Sequence, residues 1–326
     1  MIYSRVIIIG GGPAGSTCAW KLRQNDIECI ILDKQKYPRN KLCAGWITPG
    51  VLRDLQMDPE NYPHSLTKFL KFHVHIYSKE LEISVRQYAI RRYEFDYWLL
   101  KRCGAEVCTH EVKSIIKDGD SYIIDDRFRC RYLVGAGGTF CPVYRTFFKQ
   151  INPRAMDNMV TTLEEEFPCD FRDSDCHLWF FQNKLSGYSW YVPKVGGFVN
   201  VGIGGFSENL KSKKNSISDH WKLFIEELEK HSLVDNRQFN AKGSVYFIRD
   251  GIKNVQTDRA YIIGDAAGMA TKDMGEGIGP AVKSGILAAE AIYSNKPLCF
   301  DSIGKYSFSR IKTVLAMTTA FLFKSG

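Results

Sequence analysis

The apolar positions near the start of the chain form two short uninterrupted runs, residues 6–9 and 29–32. Such runs are typical of strands buried on both faces of a parallel sheet. A helix is predicted between them, beginning near Pro13. A third apolar run at 259–263 precedes a predicted helix of small residues at 281–293. The pattern therefore predicts an α/β unit to which both ends of the chain contribute.

In the middle of the chain, apolar and polar positions alternate. This alternation predicts strands of a sheet with one buried face. These strands are expected at residues 70–77, 81–85, 159–167, 177–181, 188–193, 198–203 and 242–247, the first two as a hairpin. Residues 218–230 instead have the apolar spacing of a helix, after an exposed loop at 211–216. A second, antiparallel-sheet domain is predicted here.

The other predicted elements join the N-terminal strands. They are a helix at 94–102, a strand at 106–110, a hairpin near 112–125 and a strand at 131–134. The fold is thus expected to combine a discontinuous Rossmann-like domain with a sheet domain that binds substrate. The expected boundaries are 1–60, 92–145 and 250–326 for the Rossmann-like domain, and 61–91 and 146–249 for the sheet domain.

Length and composition set further bounds. A chain of 326 residues, 44% of them hydrophobic, can bury the cores of two domains. We expect a cytoplasmic protein, because no apolar run reaches 18 residues and the chain enters its first strand without room for a signal peptide. The run at 314–323 is expected to pack as a helix on the first domain, with peripheral contact to a membrane as the alternative. The net charge of +8 suits a solvated surface, an anionic substrate or an anionic lipid surface.

The cysteines and histidines do not predict a metal site. The ten cysteines contain no CxxC pair, and the seven histidines are dispersed along the chain. In a cytoplasmic protein most of these thiols are expected to be ordinary buried side chains. No Ser-His-Asp arrangement is recognisable either. The chemistry is therefore expected to come from a bound organic cofactor.

A glycine-rich turn follows the first apolar run. It consists of Gly10, Gly11, Gly12, Pro13, Ala14 and Gly15. A strand, this turn and a helix form the context of the dinucleotide-binding fingerprint. Gly10 allows the tight turn, Gly12 allows a pyrophosphate to approach the backbone, and Gly15 allows the helix to pack on the strand. The N–H groups at the helix start then face the pyrophosphate.

Asp33 ends the second apolar run, about 20 residues beyond the turn, where an acidic side chain accepts a hydrogen bond from a ribose 2′-hydroxyl. A carboxylate there disfavours a 2′-phosphate. The dinucleotide is therefore predicted to be FAD or NAD rather than NADP. Lys34, the next residue, is also expected to contact the cofactor.

A second turn distinguishes FAD from NAD. Gly264 and Asp265 follow the third apolar run, and a carboxylate at a strand end suits the hydroxyl groups of a ribityl chain. Gly275 and Gly277 then lead into a helix whose start, near Ile278, suits the pyrophosphate or a flavin carbonyl. NAD has no ribityl chain, so FAD is the predicted cofactor.

These motifs resemble those of the p-hydroxybenzoate hydroxylase type of flavoprotein, and the chain is most similar to the geranylgeranyl reductase branch. The resemblance spans most of the chain and keeps the family's order. It rests on residues 10–15, Arg39-Asn40-Lys41-Leu42-Cys43-Ala44-Gly45, Arg92-Tyr93-Glu94-Phe95-Asp96, Gly187-Tyr188-Ser189-Trp190-Tyr191-Val192-Pro193, Gly264–Gly268 and Gly275-Glu276-Gly277-Ile278. The FAD motifs are more specific than the branch motifs.

The resemblance implies that Cys43 lies beside the flavin, in a turn where prenyl reductases have Lys-x-Cys-Gly-Gly. Here Ala44 replaces the first of those glycines. Cys43 would shape the site or donate a proton; an ordinary buried thiol is the alternative. Arg39 and Lys41 are expected along the adenosine or flavin edge, with a solvated loop as the alternative.

Arg92 and Asp96 lie at the start of the helix predicted at 94–102. The resemblance implies that Arg92 neutralises a flavin phosphate or the reduced isoalloxazine. Asp96 is expected to support the N-terminus of the helix.

Residues 187–193 resemble the Gly-Tyr-x-Trp-x-x-Pro strand beneath the substrate cavity of prenyl reductases. Flavin-dependent halogenases have Trp-x-Trp-x-Ile-Pro there, but Tyr188 departs from that pattern and no lysine can be assigned as the halogenase amine. Tyr188, Trp190, Phe180 and Phe181 are expected to form an apolar cavity wall. Packing at the back of a sheet is the alternative. The candidate catalytic residues are Cys43, Tyr188 and Trp190.

The resemblance implies an FAD-dependent oxidoreductase that reduces carbon–carbon double bonds of an apolar or isoprenoid-like substrate. Hydride would come from flavin N5, and a proton from solvent or a nearby side chain. The expected partners are the small-molecule substrate and an external donor, NAD(P)H or a reduced electron carrier; no nucleic acid is expected. Two alternatives stay open: a monooxygenase or halogenase acting on an aromatic substrate, and a non-catalytic flavin redox sensor.

Overall fold

The computed structural model describes residues 1–77, 79–212, 216–249 and 251–307, which contain two eight-stranded sheets. Strands and helices are numbered along the chain. The first sheet comprises β1 (Ile2–Ile9), β2 (Cys29–Asp33), β6 (Glu106–Thr109), β7 (Ile115–Asp118), β8 (Ser121–Ile124), β9 (Phe128–Gly135), β15 (Gln256–Thr257) and β16 (Ala260–Ile262). The second comprises β3 (Trp46–Ile47), β4 (Leu66–Ile76), β5 (Lys79–Ile90), β10 (Met159–Pro168), β11 (Cys176–Phe180), β12 (Gly187–Lys194), β13 (Phe198–Phe206) and β14 (Lys242–Phe247).

Six described helices accompany the sheets. They are α1 (Pro13–Arg23), α2 (Pro49–Asp54), α3 (Arg92–Arg102), α4 (Ser207–Ser212), α5 (Ile217–Lys230) and α6 (Ile278–Ser294). The helices α1 and α6 pack directly against each other. Their contact requires Gly285, because a Cβ there would overlap the carbonyl oxygen of Ala14. This contact brings the two ends of the sequence into one unit.

The first sheet has the strand order β15-β16-β9-β1-β2-β6, with the β7–β8 hairpin attached to β9. The pairs from β16 to β6 are parallel. β1 lies between β2 and β9. After β1 the chain therefore first adds β2 on one side of it and later adds β9 on the other side. In open α/β sheets ligands bind at such a switch point, beyond the carboxyl ends of the strands.

The second sheet has the order β14-β10-β13-β12-β11-β4-β5-β3. Its pairs are antiparallel except β11 with β4. One face carries an apolar cluster that includes Trp46, Phe72 and Trp190. The other face packs on α5 through Trp179 and Phe224. One face of the second sheet thus carries the apolar cluster, and the other face is covered by α5.

The predicted α/β class is confirmed, and most predicted elements are present with bounds that differ by a few residues. The hairpin predicted at 70–77 and 81–85 is longer, as β4 and β5, while β14 has the predicted bounds. The loop expected at 211–216 is wrong for Lys211 and Ser212, which lie in α4, while residues 213–215 lie outside the described residues. β3 pairs with the second sheet although it lies within the predicted segment 1–60. The predicted domain boundaries stay a proposal. The helix predicted at 314–323 lies outside the described residues.

Candidate functional site

The glycine turn after β1 brings the backbone of β1, α1 and β9 into close contact. Gly10 has a φ of +107°, and a Cβ there would overlap the carbonyl oxygen of Ala136. A Cβ on Gly15 would overlap the carbonyl oxygen of Gly10. Gly12 differs, because the nearest atom to a Cβ would be Nη2 of Arg39, 3.5 Å away. The turn is therefore closed at Gly10 and Gly15 but open at Gly12.

Asp33 is buried at the end of β2 and directs its carboxylate toward this turn. Oδ2 accepts hydrogen bonds from the N–H of Gly11 at 2.7 Å and the hydroxyl of Tyr37 at 3.1 Å. Oδ1 accepts from the N–H of Gln35 at 2.8 Å. An ionised carboxylate has about four acceptor sites, so Oδ1 retains capacity for a ribose hydroxyl. Lys34 is exposed.

The turn after β16 packs against the start of α1, so the two glycine motifs meet. Gly264 has a φ of +58°, and a Cβ there would lie 3.0 Å from the Cβ of Ala14. Asp265 faces the start of α6, because its Oδ1 lies 3.2 Å from the position of a Cβ on Gly277. The side chain of Ile278 is buried in an apolar cluster, so only its backbone is available to a ligand.

Asp96 is fully buried on α3 and binds two guanidinium groups. Arg92 donates to both carboxylate oxygens, from Nε at 2.6 Å and Nη2 at 2.8 Å. Nη2 of Arg39 lies 3.2 Å from Oδ2 of Asp96. The expected role of Asp96 as support for the helix start is therefore wrong. Its carboxylate holds Arg39 beside Gly12 and Arg92 beside Cys43.

Cys43 precedes β3 and packs against the apolar cluster that contains Ile47 and Ile278. Its Sγ accepts a hydrogen bond from the N–H of Gly45 at 3.3 Å, and the guanidinium of Arg92 lies close enough to interact with the thiol electrostatically. Burial raises the pKa of the thiol, and the charge of Arg92 offsets this only in part. The thiol is thus neutral near neutral pH. Ala44 packs on the aromatic cluster, whereas Lys41 is exposed.

Glu164 on β10 is a buried acid that the sequence analysis did not identify. Its side chain is 3% exposed and lies opposite Gly202 of β13. It accepts a hydrogen bond from Nδ2 of Asn200 at 3.4 Å. Burial raises the pKa of Glu164 to about 7, although Asn200 and nearby positive charges act in the opposite direction. A carboxyl group with this pKa is protonated in a large fraction of molecules at neutral pH.

Tyr246 connects Glu164 with the glycine turns. Burial raises the pKa of Tyr246, and the charges of Cys43, Glu164 and Asp265 add to this effect. A Cβ on Gly275 would overlap its hydroxyl group. Tyr246 lies on β14, which pairs with β10, and it thus contacts the glycine-rich segment before α6.

Aromatic side chains line the same face of the second sheet. The ring centroid of Tyr188 lies 5.3 Å from that of Phe180 and 5.6 Å from that of Trp190. Phe181 packs 6.2 Å from Phe180, and Trp46 stacks on Tyr188 at 6.3 Å. The four aromatic residues proposed for the wall therefore lie together, with Trp46 as an addition.

Hydrogen bonds limit what this aromatic wall can do. The indole N–H of Trp190 donates to Oδ1 of Asn200 at 2.7 Å, and its ring covers Gly202, where no side chain would fit. Since that N–H is the only polar hydrogen of the indole, Trp190 offers a ligand an apolar surface and no proton. The hydroxyl of Tyr188 donates to the carbonyl oxygen of Met274 at 2.6 Å.

Lys194 ends β12 on the same face and is 1% exposed. Its Nζ binds Oε2 of Glu166 at 2.6 Å. Glu166 also accepts from Nε of Arg91 at 2.9 Å. The ammonium group is therefore engaged in a partly buried ion-pair network.

Known proteins are similar to this chain in sequence and in fold. A family of NAD(P)-binding Rossmann-like domains matches residues 8–42. An uncharacterised protein of Methanosarcina barkeri is 31% identical over 302 residues, which cover 89% of this chain and 74% of the relative. Digeranylgeranylglycerophospholipid reductase 3 of Methanosphaera stadtmanae is 26% identical over 87% of this chain and 75% of its own length. The chain belongs to the geranylgeranyl reductase family of FAD-dependent oxidoreductases.

Solved structures agree with the fold of this family. A geranylgeranyl bacteriochlorophyll reductase-like protein of Thermoplasma acidophilum superposes with a TM-score of 0.77 at 19% identity, over 91% of this chain and 81% of that one. The flavin-dependent brominase Bmp2 superposes with a TM-score of 0.71 at 22% identity, over 90% and 79%. At these identities the comparison establishes the fold alone.

The residues of this geranylgeranyl reductase family member fit FAD. The open side at Gly12 leaves room for a pyrophosphate, and the first N–H groups of α1 have no side-chain cap. Asp33 has acceptor capacity left for a ribose, and Asp265 lies at the other turn. None of the described helices combines the length and apolar character needed to cross a membrane.

The histidines are dispersed along the sequence, but the fold brings four of them together. On the face of the second sheet opposite the aromatic wall, His73, His75, His177 and His231 form a cluster. The first two lie on β4, His177 lies on β11, and His231 follows α5. Because about 100 residues separate β4 from β11, sequence spacing could not reveal the cluster.

Proposed function

We propose that this protein reduces carbon–carbon double bonds of an apolar, isoprenoid-like substrate. The observation that carries the proposal is a buried carboxyl group, Glu164, beside an apolar aromatic wall and close to the FAD-binding turns. The relatives named digeranylgeranylglycerophospholipid reductase, and the menaquinone reductase of Mycobacterium tuberculosis, 24% identical over 98% of this chain and 86% of its own length, support the same reaction class.

We propose that the cofactor lies along the two glycine turns. The residues proposed to contact it are Gly10, Gly12, Pro13, Ala14, Gly15, Asp33, Lys34, Arg39, Lys41, Cys43, Ala44, Arg92, Gly264, Asp265, Gly275, Gly277 and Ile278. Asp33 would accept from the ribose and Asp265 from the ribityl chain. Arg39 would meet the pyrophosphate, because Asp96 holds it beside Gly12.

Bound FAD, once reduced by an external donor, would supply the hydride. The chain would supply the rest. Tyr188 and Trp190 would hold an apolar chain against the sheet, and Glu164 would donate the proton that completes the reduction. Its raised pKa suits a general acid near neutral pH. Arg92 would balance negative charge beside Cys43.

Cys43 is proposed to set how closely a substrate approaches the cofactor. The FAD-loaded Cys43→Ala variant is expected to keep its cofactor but to lose about tenfold or more in turnover, because reacting atoms must come within about 3–3.5 Å. Since the thiol is neutral, Cys43→Ser should be the milder change. Steady-state turnover, product analysis and flavin absorbance measure these effects. Cys108→Ser is the control, because Cys108 is half-buried in the first sheet; an equal effect there, or none at Cys43, contradicts the role.

A flavin halogenase or monooxygenase is the second candidate, favoured by buried Lys194 on the cavity face and by the brominase fold. The ion pair of Lys194 with Glu166 weighs against it, because a free lysine amine would be required.

Dioxygen dependence separates the candidates. The FAD-loaded protein would be reduced with dithionite and mixed anaerobically with a geranylgeranyl-bearing glycerophospholipid. We expect the flavin to reoxidise without dioxygen and mass spectrometry to detect a saturated chain. Reoxidation only after dioxygen is added, with a hydroxylated or halogenated product when an aromatic substrate and a halide salt are supplied, would favour the second candidate. No reoxidation by either route would favour a redox sensor.

A further inference from the structure

The histidine cluster (His73, His75, His177 and His231) lies on the outer face of the second sheet, on the side away from the aromatic wall. We propose that this face binds a divalent transition-metal ion of the Zn²⁺ type through His73, Asp173 and His177. The proposal is independent of the reaction at the flavin.

The strand pattern separates this site from the cavity. On β4, Phe72 and Val74 point into the aromatic cluster, so the alternate residues, His73 and His75, point to the opposite face. β11 pairs with β4 in the register His73 with His177. The two imidazoles consequently stack, with centroids 4.6 Å apart and planes inclined by 13°.

The ligand atoms already lie close together. One atom each from His73, Asp173 and His177 lies within 4.8 Å of the others. In tetrahedral zinc sites with bonds of about 2.0–2.2 Å, ligand atoms are about 3.3 Å apart. Convergence by about 1–1.5 Å, within reach of side-chain rotation, would therefore close the site. Two imidazoles and a carboxylate suit Zn²⁺ better than Mg²⁺ or Ca²⁺, which prefer oxygen ligands.

Carboxylates already face the ligand nitrogens. Nε2 of His177 is 3.0 Å from Oδ2 of Asp173, and Nε2 of His73 is 3.2 Å from Oδ2 of Asp175. The Nε2 lone pair lies in the plane of each ring, so metal binding requires the two stacked imidazoles to rotate until both Nε2 atoms point at one ion. The ion would then replace these contacts, with Asp175 able to serve as a fourth ligand. Asp173 and Asp175 come from the same short loop before β11, which the ion would fasten to β4.

The other nitrogen of each ligand is also engaged. Nδ1 of His73 is 2.8 Å from Oε1 of Glu80, and Nδ1 of His177 is 3.1 Å from Nε2 of His75. Metal-binding histidines characteristically use their second nitrogen in this way, which fixes the orientation of the ring. Glu80 and His75 therefore already hold the rings of His73 and His177 in place.

The charge of the surroundings favours a cation. Four carboxylates, those of Glu80, Glu82, Asp173 and Asp175, lie within hydrogen-bonding or ion-pairing distance of His73, His177 or Lys71. Lys71 partly neutralises these carboxylates, because its Nζ lies 3.1 Å from Oδ2 of Asp175. The carboxylate of Asp173, which has no such ion pair with Lys71, is therefore the third ligand.

The test uses the full chain loaded with FAD and stripped of metal with a chelator. Calorimetric titration with Zn²⁺ is expected to give one site per chain with a Kd of about 10 µM or tighter. Co²⁺ should give the intense visible absorption of a tetrahedral site, and Zn²⁺ should raise the Tm. Weaker binding than this overturns the proposal.

Three variants assign the ligands. His177→Gln and Asp173→Asn should each weaken Zn²⁺ binding by about tenfold or more and abolish the Co²⁺ spectrum. His231→Gln is the matched control, since His231 belongs to the cluster but bonds to Glu227 at 3.0 Å and is no ligand; its binding should be unchanged. If His177→Gln does not fold, partly exposed Asp173 still provides the test. Unchanged affinity in Asp173→Asn, or loss of binding in His231→Gln, overturns the ligand set.

Discussion

Replacing Glu164 by glutamine is expected to lower the turnover of the FAD-loaded protein by about 10²- to 10⁴-fold, the usual contribution of a positioned general acid. Glutamine has nearly the same shape and can keep the contact with Asn200, but it has no acidic proton. FAD content should be unchanged, because Glu164 lies on the second sheet and not in the glycine turns. Turnover of the proposed lipid substrate, normalised to bound FAD, measures the effect.

The pH dependence of turnover provides a second test of Glu164 as the proton donor. Glu164 can donate only while protonated, and burial raises its pKa to about 7. Turnover of the unchanged protein should therefore be highest below about pH 7 and fall as the pH rises through that value. The residual activity of Glu164→Gln should lack this decline. A decline of equal size in both proteins would assign the proton to another group.

Glu165 provides the matched control for Glu164. It is the next residue of β10, points to the opposite face and binds Nη2 of Arg237 at 2.8 Å. Glu165→Gln removes one charge from the same strand without touching the cavity. We expect its turnover to stay within about twofold of the original, while its stability changes by about 1 kcal/mol or less. A comparable loss of turnover in both variants would indicate a general effect on the sheet.

Gly12→Ala is expected to weaken FAD binding by about 100-fold, or roughly 2.8 kcal/mol. The protein itself has space for the new methyl group, whose nearest neighbour would be Nη2 of Arg39 at 3.5 Å. The pyrophosphate, in contrast, needs the backbone at this position to be bare. The variant should therefore fold but be purified without the visible absorbance of bound FAD. FAD titration of the apoprotein, with circular dichroism to verify folding, measures both properties.

Gly243→Ala is the control for Gly12→Ala. A Cβ at Gly243 on β14 would have the same nearest distance, 3.5 Å, and should leave FAD binding unchanged. In the same titration Asp265→Ala should weaken binding by about 1.5–3 kcal/mol, the usual value for a hydrogen bond to a charged group. Unchanged affinity in Gly12→Ala or Asp265→Ala would remove that residue from the proposed cofactor site.

The glycine turns proposed to bind the cofactor could be predicted because their geometry is local. Gly10 and Gly15 are glycines since any Cβ would meet backbone a few residues away or on the adjacent strand, and that requirement is visible as spacing in the sequence. The continuous apolar runs around them predicted the parallel strands for a similar reason. A strand covered on both faces has no position for polar side chains.

The proposed proton donor could not be predicted in this way. Glu164 belongs to the run Glu164-Glu165-Glu166, which has the composition of a solvated edge. The three side chains nevertheless have different surroundings. Glu164 is buried beside Asn200, Glu165 binds Arg237 on the opposite face, and Glu166 binds Lys194. The pairing register of β10 with β13 turns Glu164 and Glu166 toward the aromatic wall and Glu165 away from it, and the neighbours of each side chain set its burial.

The sequence alone determined the class of the fold, the glycine turns and the family, because each depends on short-range backbone constraints or apolar periodicity. Tertiary structure alone decided the burial of Glu164 beside Asn200, the hydrogen bond from the Trp190 indole to Asn200, and the grouping of His73 with Asp173 and His177. These contacts join strands that are distant in the chain. Sheet register, a property of the whole packed molecule, sets which side chains face each other.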